Sequence, residues 1–252
     1  MHHTDAWHNP NAAVIVPLSK RKNIMKTISK VLLAGILMLF ALSGRAQQDE
    51  RKLDYFDAIS ATGDIEVTLI AGEEPKAVIF AEGIDVDDVS VFVKGKTLKL
   101  QLIDGLFKSG EKARVEVTYQ QIRAIKATAG AKVYTEAPLT GDMLDLRAAS
   151  GGYVELKVAI NTLNAYASEG GIIDLEGSTE TQDVTAATGG RYQGLDLECA
   201  RTFVKANTGG EAEVVATLKL DANANTGGTI HYKGEPEEKY TRTVIAGDIH
   251  KL

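Results

Sequence analysis

Cysteine is almost absent from this chain of 252 residues, and its scarcity excludes a disulfide-held fold. Cys199 is the only cysteine, so no disulfide can form within the chain, and we expect this residue to be small, apolar and buried. The cysteine and histidine spacings that hold metal ions are missing. The glycine-rich nonapeptide that binds calcium in β-helical repeats is missing as well. We therefore predict no metal site and no cofactor, and expect packing alone to stabilise the fold.

Histidine is also scarce where it would be needed for catalysis. Only His231 and His250 lie beyond the first 46 residues, and both are close to the end of the sequence. A nucleophile needs a base, and the base needs an orienting group, so two histidines this near one end make a catalytic triad implausible. No helix start follows the glycine pairs, which excludes a phosphate-binding loop. We predict no catalytic residues and no enzymatic activity.

No apolar run reaches the roughly 20 residues that a membrane-spanning helix needs. Residues 31–42 are apolar, follow a short basic stretch and precede small residues ending at Ala46. This order is typical of a secretory signal peptide. We expect residues 25–46 to be that signal and residues 1–24 to be an upstream extension from a mis-assigned start. The exported chain is then not expected to span a membrane.

Acidic residues outnumber basic ones, 34 to 28. Six of the basic residues lie within residues 1–46 and only one acidic residue does, so the exported chain is more acidic still. An acidic secreted protein is a poor candidate for binding nucleic acid or an anionic lipid surface. We expect no nucleic-acid partner, and a location in the periplasm, at the cell surface or outside the cell.

Glycine supplies the strongest pattern, recurring at steps of 18 to 21 residues and beginning a Gly-Gly pair in five of six cases. The spaced glycines are Gly130, Gly151, Gly170, Gly189, Gly209 and Gly227. An alanine stands three residues before each of them: Ala127, Ala148, Ala167, Ala186, Ala206 and Ala224. A weaker echo of the pattern occurs at Gly247. A fixed period near 20 residues is typical of a solenoid.

Apolar and polar residues alternate on both sides of each glycine, which indicates strands with one buried face. Each repeat is therefore a strand, a tight glycine corner and a second strand, with the alanines stacked inside. We predict an all-β fold, a right-handed single-stranded parallel β-helix with about 20 residues per rung. A β-propeller needs repeats about twice as long, and a leucine-rich repeat needs a leucine and asparagine signature that is missing.

The predicted organisation after the signal peptide has two parts that form one continuous unit over residues 47–252. Residues 47–120 are rich in alternating apolar runs but do not follow the glycine period, so we expect a β-rich section that covers one end of the coil. Residues 121–252 contain the β-helix repeats and a C-terminal cap. We expect a last strand around residues 244–249 to close the other edge.

The arrangement resembles a known family. The segment from Gly63 to Leu69 reads Gly-Asp-Ile-Glu-Val-Thr-Leu, a β-rich block follows, and serial Thr-Gly-Gly rungs lead to an Ile-His-Tyr-Lys-Gly segment ending at Gly234. Over nearly all of residues 53–252 this resembles the head GIN domain family of auto-transporter adhesins, common in Bacteroidetes. The sequence departs from the family pattern at Glu66, where asparagine is expected. The resemblance implies a right-handed β-helix and an adhesin-like role.

Three functions remain open from the sequence. The first is a non-catalytic exported envelope protein that binds a glycan or surface ligand. Its candidate ligand-binding residues are Tyr134, Tyr153 and Tyr166. Tyr192 falls at an inward position, and we expect it in the core. The second is a periplasmic structural or regulatory protein that binds another envelope protein. The third is a polysaccharide-active β-helix enzyme, which would gather carboxylates or basic residues on an outer face. The columns to examine for it are Lys126, Arg147 and Lys205, and Glu155, Asp174 and Glu213.

Overall fold

The computed structural model describes residues 47–102 and 112–252, and this part of the chain is all-β. The predicted upstream extension and signal peptide lie outside the described residues. One 3₁₀ turn, Val86–Asp88, interrupts the strands, and the described residues include no α-helix. Within these two ranges, no helix has the length and apolar character needed to cross a membrane.

In the described residues, eighteen strands form one continuous hydrogen-bonded sheet. They are β1 (Gln47–Lys52), β2 (Ala58–Thr62), β3 (Ile65–Ala71), β4 (Lys76–Glu82), β5 (Val89–Lys94), β6 (Thr97–Leu102), β7 (Lys112–Tyr119), β8 (Ala124–Thr128), β9 (Lys132–Thr135), β10 (Leu139–Ala149), β11 (Tyr153–Ser168), β12 (Ile172–Ala187), β13 (Arg191–Asn207), β14 (Glu211–Val215), β15 (Lys219–Asn225), β16 (Thr229–Lys233), β17 (Glu238–Val244) and β18 (Asp248–Lys251).

Parallel pairing between successive rungs confirms the predicted β-solenoid, which has about seven turns. The strand segments before each glycine corner stack in the order β2, β8, β10, β11, β12, β13, β15 and β17, here called the first ladder. The segments after each corner stack as β3, β9, β11, β12, β13, β14, β16 and β18, the second ladder. A shorter middle ladder joins the two and is formed by β10 to β13.

The two glycines of each corner have different roles, as one corner illustrates. Gly189 has a φ of +71° and a Cβ added there would meet nothing within 4 Å, so this position needs glycine for its backbone conformation. Gly190 has no positive φ, but its Cβ would lie 2.3 Å from the carbonyl oxygen of Ala167 in the preceding rung. The corner therefore requires one glycine for its turn and the next for close approach. Ala167 itself is buried, as predicted for the inward alanine column.

The N-terminal strands extend the first rung outward. β6 pairs in parallel with β2, and β7 pairs in parallel with β3. Three antiparallel pairings, β4 with β7, β1 with β4 and β5 with β6, complete this section. The mixed pairing explains why these strands do not follow the glycine period.

The prediction of a closing strand around residues 244–249 was wrong. A corner lies there, with Ile245 at φ +45° and Ala246 at φ +56°, and it joins β17 to β18. These two strands form one more parallel rung, and no strand in the described part of the chain pairs with their outer edges. Gly247 occupies the close-approach position, since its Cβ would lie 2.2 Å from the carbonyl oxygen of Ala224.

Buried polar side chains interrupt the apolar interior near β13. The Tyr192 hydroxyl donates to Gln182 Oε1 at 2.6 Å, and Gln182 Nε2 donates to the Thr202 hydroxyl at 2.9 Å. Gly194 leaves room for the tyrosine, because a Cβ there would lie 2.6 Å from its ring. Tyr192 and Cys199 are both almost fully buried, which confirms that they belong to the core.

Candidate functional site

Tyr134 and Tyr153 lie next to each other on the outside of the second ladder. β9 and β11 pair so that Tyr134 is opposite Glu155 and Tyr153 is opposite Lys132, which makes the two tyrosines diagonal neighbours. Their ring centroids are 5.9 Å apart and the rings are tilted by 55°. Both side chains are half-buried. This is the spacing of an attractive aromatic pair, so each ring holds the other in place.

The environment keeps both tyrosine hydroxyls protonated. Burial raises the pKa of Tyr153, and the hydrogen bond that its hydroxyl donates to Glu155 at 3.1 Å raises it further. Burial is also the main reason that the pKa of Tyr134 is raised. At neutral pH the pair therefore offers apolar ring faces with neutral polar tips.

Carboxylates continue from the tyrosines along the next rungs. Glu155 is opposite Asp174, and Glu176 is opposite Asp196 across a register shift between β12 and β13. They line a cleft of about 250 Å³ together with Lys157, whose Nζ lies 2.8 Å from Glu176 Oε1. Four carboxylates against one ammonium leave this cleft acidic. We call this surface, with Tyr134 and Tyr153, the tyrosine–carboxylate face.

The environment of Asp174 disfavours a negative charge on its carboxyl group. Its pKa is raised, first by burial and then by the neighbouring charges of Glu155, Asp196 and Glu176. A ligand that donates hydrogen bonds or carries positive charge would relieve this crowding. Among residues 47–102 and 112–252, no group of three or more histidine, cysteine, aspartate or glutamate residues is arranged to hold a metal ion.

Tyr166 lies on a different side of the coil. It belongs to the first ladder, where it is opposite Arg147, and the guanidinium carbon lies 4.8 Å from the centre of its ring. The structure thus brings Tyr134 and Tyr153 together and leaves Tyr166 apart.

The sequence matches the family model described as "Putative auto-transporter adhesin, head GIN domain" over residues 55–236. The chain belongs to this family. No curated protein sequence shows significant similarity to it.

Several solved structures are similar to this head GIN domain protein. A putative adhesin from Bacteroides fragilis NCTC 9343 is 23% identical, with a TM-score of 0.73, over 83% of this chain and 98% of its own. A putative lipid binding protein from Parabacteroides distasonis ATCC 8503 is 21% identical, with a TM-score of 0.62 and the same coverage. A putative adhesin from Parabacteroides merdae ATCC 43184 is 18% identical, with a TM-score of 0.59, over 83% of this chain and 97% of its own. At these identities the likeness shows a shared fold.

Counting from the corner glycines finds part of the tyrosine–carboxylate face but not all of it. Glu155 and Asp174 are adjacent in one outward column, as the sequence suggested, but Gln193 separates them from Glu213. Glu176 and Asp196 were missed; the register shift between β12 and β13 places Asp196 opposite Glu176, although the two have different offsets from their glycines. The basic column loses its continuity at Tyr166, which stands between Arg147 and Thr185.

Proposed function

We propose that this protein is a non-catalytic, exported envelope protein that binds a glycan through the tyrosine–carboxylate face. The observation that carries the proposal is the Tyr134–Tyr153 pair beside a row of carboxylates on adjacent rungs. The family description as an adhesin supports a binding role, and a location in the periplasm or at the cell surface accords with it.

The chemistry of the face suits a sugar. A sugar ring has apolar C–H faces that pack on an aromatic ring and hydroxyl groups around its rim. The tyrosines supply amphipathic rings whose orientation is held by their mutual contact. The carboxyl oxygens of Glu155 and Asp174 can accept hydrogen bonds from the hydroxyl groups of a sugar. Because the carboxylates repeat from rung to rung, the face fits an extended chain of sugars better than a single one.

A glycan array probed with the purified protein tests the proposal. We expect saturable binding to a defined glycan, with Tyr134→Ala and Tyr153→Ala each weakening it about tenfold, equivalent to 1.4 kcal/mol. Tyr166→Ala is the matched control, since this tyrosine is exposed and lies on the first ladder. Its affinity should equal that of the unchanged protein.

Two outcomes would contradict the proposal. Binding that depends on Tyr166 and not on Tyr153 would move the site to the first ladder. An array without binding, together with recovery of one envelope protein from a pulldown with the same preparation, would favour the structural or regulatory role instead.

A further inference from the structure

The middle ladder ends at β13, whereas the first ladder continues through β15 and β17 and the second through β14, β16 and β18. It consists of residues 139–144, 158–163, 177–182 and 196–202 in successive rungs. In the following rung, β14 ends at Val215 and β15 begins at Lys219, so only a short link takes the place of the next middle strand. This link makes two backbone hydrogen bonds to β13, from Thr217 N to Cys199 O at 3.1 Å and from Leu218 N to Ala200 O at 2.8 Å.

Part of β13 is therefore an open strand edge inside the body of the solenoid. On the side facing β12, Asp196, Leu197 and Glu198 are all in register with partners. On the other side, pairing with β14 ends at Gln193 and pairing with β15 begins at Arg201. The described residues give residues 194–198 no strand partner on this side, and the two bonds of the link go to Cys199 and Ala200, just beyond them. Unpaired strand edges are ready templates for another strand.

A groove of about 720 Å³ lies along this edge, in the space where the next middle strand would run. Its lining includes Asp196 and Glu198 of β13, Val215 and Thr217 of the following rung, and Lys233 at the end of β16. This volume is in the range of functional binding clefts, about 300–1,000 Å³. We call it the β13 groove.

The edge is acidic. Asp196 and Glu198 are exposed and alternate with the buried Leu197, so both carboxylates point away from the core. Neither of them is in an ion pair with any described residue. Glu176, opposite Asp196, adds a third carboxylate on the neighbouring strand. Opposite charges on adjacent strands stabilise a pairing, so an incoming strand with basic residues at alternate positions is favoured.

We propose that the β13 groove binds an extended basic peptide segment of a partner protein, which pairs as an added strand along residues 194–198. Backbone hydrogen bonds supply the affinity in this mode, and the alternate side chains supply the specificity. Basic side chains of the segment lie beside Asp196 and Glu198 on the outer face, and its intervening apolar side chains lie on the inward side, as Leu197 does. The proposal does not rest on glycan binding, because the tyrosines are not part of the groove.

The test uses the purified full chain and three labelled probe peptides, followed by fluorescence anisotropy. The peptides are Lys-Val-Lys-Val-Lys, its counterpart Glu-Val-Glu-Val-Glu, and a form of the basic peptide with N-methylated backbone amides. We expect saturable binding of the basic peptide, at least tenfold weaker binding of the N-methylated form, and no binding of the acidic peptide.

Glu198→Lys is the informative variant, because Glu198 lines the β13 groove but not the tyrosine–carboxylate cleft. It should weaken binding of the basic peptide at least fivefold and leave glycan binding unchanged. Asp221→Lys is the matched control, an exposed carboxylate on β15 in the first ladder, and it should change neither affinity. Circular dichroism of both variants verifies that they are folded.

Three results would overturn the proposal. One is the absence of saturable binding by the basic peptide. Another is equal affinity of the parent and N-methylated peptides, which would leave only charge attraction. The third is an equal loss of affinity in Glu198→Lys and Asp221→Lys, which would show that the peptide follows net charge and not this groove. Loss of glycan binding with peptide binding intact would count against the proposed function alone.

Discussion

Two adjacent glycines at one corner should respond very differently to the same substitution. In Gly189→Ala the new Cβ meets open space, and the cost comes only from the positive φ of +71°. That left-handed conformation costs a residue with a Cβ about 1–2 kcal/mol. In Gly190→Ala the φ is not positive, and the cost comes from the contact with the carbonyl oxygen of Ala167 in the preceding rung.

The size of the second effect follows from the distances. The added Cβ would lie 2.3 Å from the oxygen, and Cβ atoms essentially never approach heavy atoms within 3.0 Å. The rungs must therefore separate locally by about 0.7 Å, against a spacing of about 4.8 Å between paired strands. Ala167 cannot move away easily, because β11 is paired with β10 on one side and β12 on the other. We expect Gly190→Ala to cost about 3 kcal/mol or more, the upper end of what overpacking costs.

Urea denaturation followed by far-ultraviolet circular dichroism measures both costs as changes in the free energy of unfolding. The same pair of substitutions at Gly170 and Gly171 serves as an internal repeat, because their surroundings match those of Gly189 and Gly190. The reasoning fails if Gly189→Ala destabilises the protein as much as Gly190→Ala does. It also fails if the order of the two effects reverses at the second corner.

Three further changes test the interior, the charged face and the last corner. Tyr192→Phe removes the hydroxyl that donates to Gln182 and leaves a buried acceptor unsatisfied. Urea denaturation should therefore show a free energy of unfolding that is lower by about 1–3 kcal/mol. Unchanged stability would mean that the buried network contributes nothing. Because the pKa of Asp174 is raised in the folded protein, its ionised form destabilises the fold at neutral pH. Asp174→Asn should therefore raise the free energy of unfolding at pH 7 by up to about 1 kcal/mol. The gain should shrink as the pH falls and vanish well below about 3.9, the ordinary pKa of aspartate, where the carboxyl is protonated in both states. A gain that does not depend on pH would contradict this cause. Ala246→Gly should stabilise the last corner by about 0.5 kcal/mol, because glycine adopts a φ of +56° without strain. The measurement is hydrogen exchange, in which the amides of β17 and β18 should become more protected. Lower protection would show that the corner is not strained.

The repeated core of the fold was predictable because its corners restrict the sequence so tightly. The turn and the close approach each require a glycine, and the narrow interior requires an alanine, so the period is visible in the residues themselves. The residue before each corner glycine also has a positive φ, but its residue type did not indicate this in the sequence. Ser150, Glu169 and Thr188 are examples, and nothing in their chemistry marks a left-handed conformation. The N-terminal strands were expected, but their mixed pairing depends on partners distant in sequence and could not be deduced.

The proposed binding surfaces were harder to predict, because packing does not restrict which residues point outward. Tyr134 and Tyr153 could be found by counting from the glycines, whereas the place of Asp196 beside Glu176 depends on a register shift inside β13. One feature of the sequence does correspond to the β13 groove. The step from Gly209 to Gly227 is 18 residues, the shortest of the series, and this is the first rung in which a link replaces the middle strand.

The last described rung shows how a sheet edge can be tolerated without a covering strand. Lys239, Thr241 and Thr243 occupy the inward positions of β17, directly over Leu220, Ala222 and Ala224 of the preceding strand. The interior thus changes from apolar to polar within one rung, and Lys239 Nζ reaches the Tyr232 hydroxyl at 3.5 Å. Inward-pointing charge is one of the ways in which proteins prevent strand edges from pairing with other chains. The edge of β13 has no such protection, because Leu197 points inward there and the flanking carboxylates point out. The two edges therefore differ: β17 has polar residues at its inward positions, and the edge of β13 retains the apolar and charged pattern that a partner strand can match.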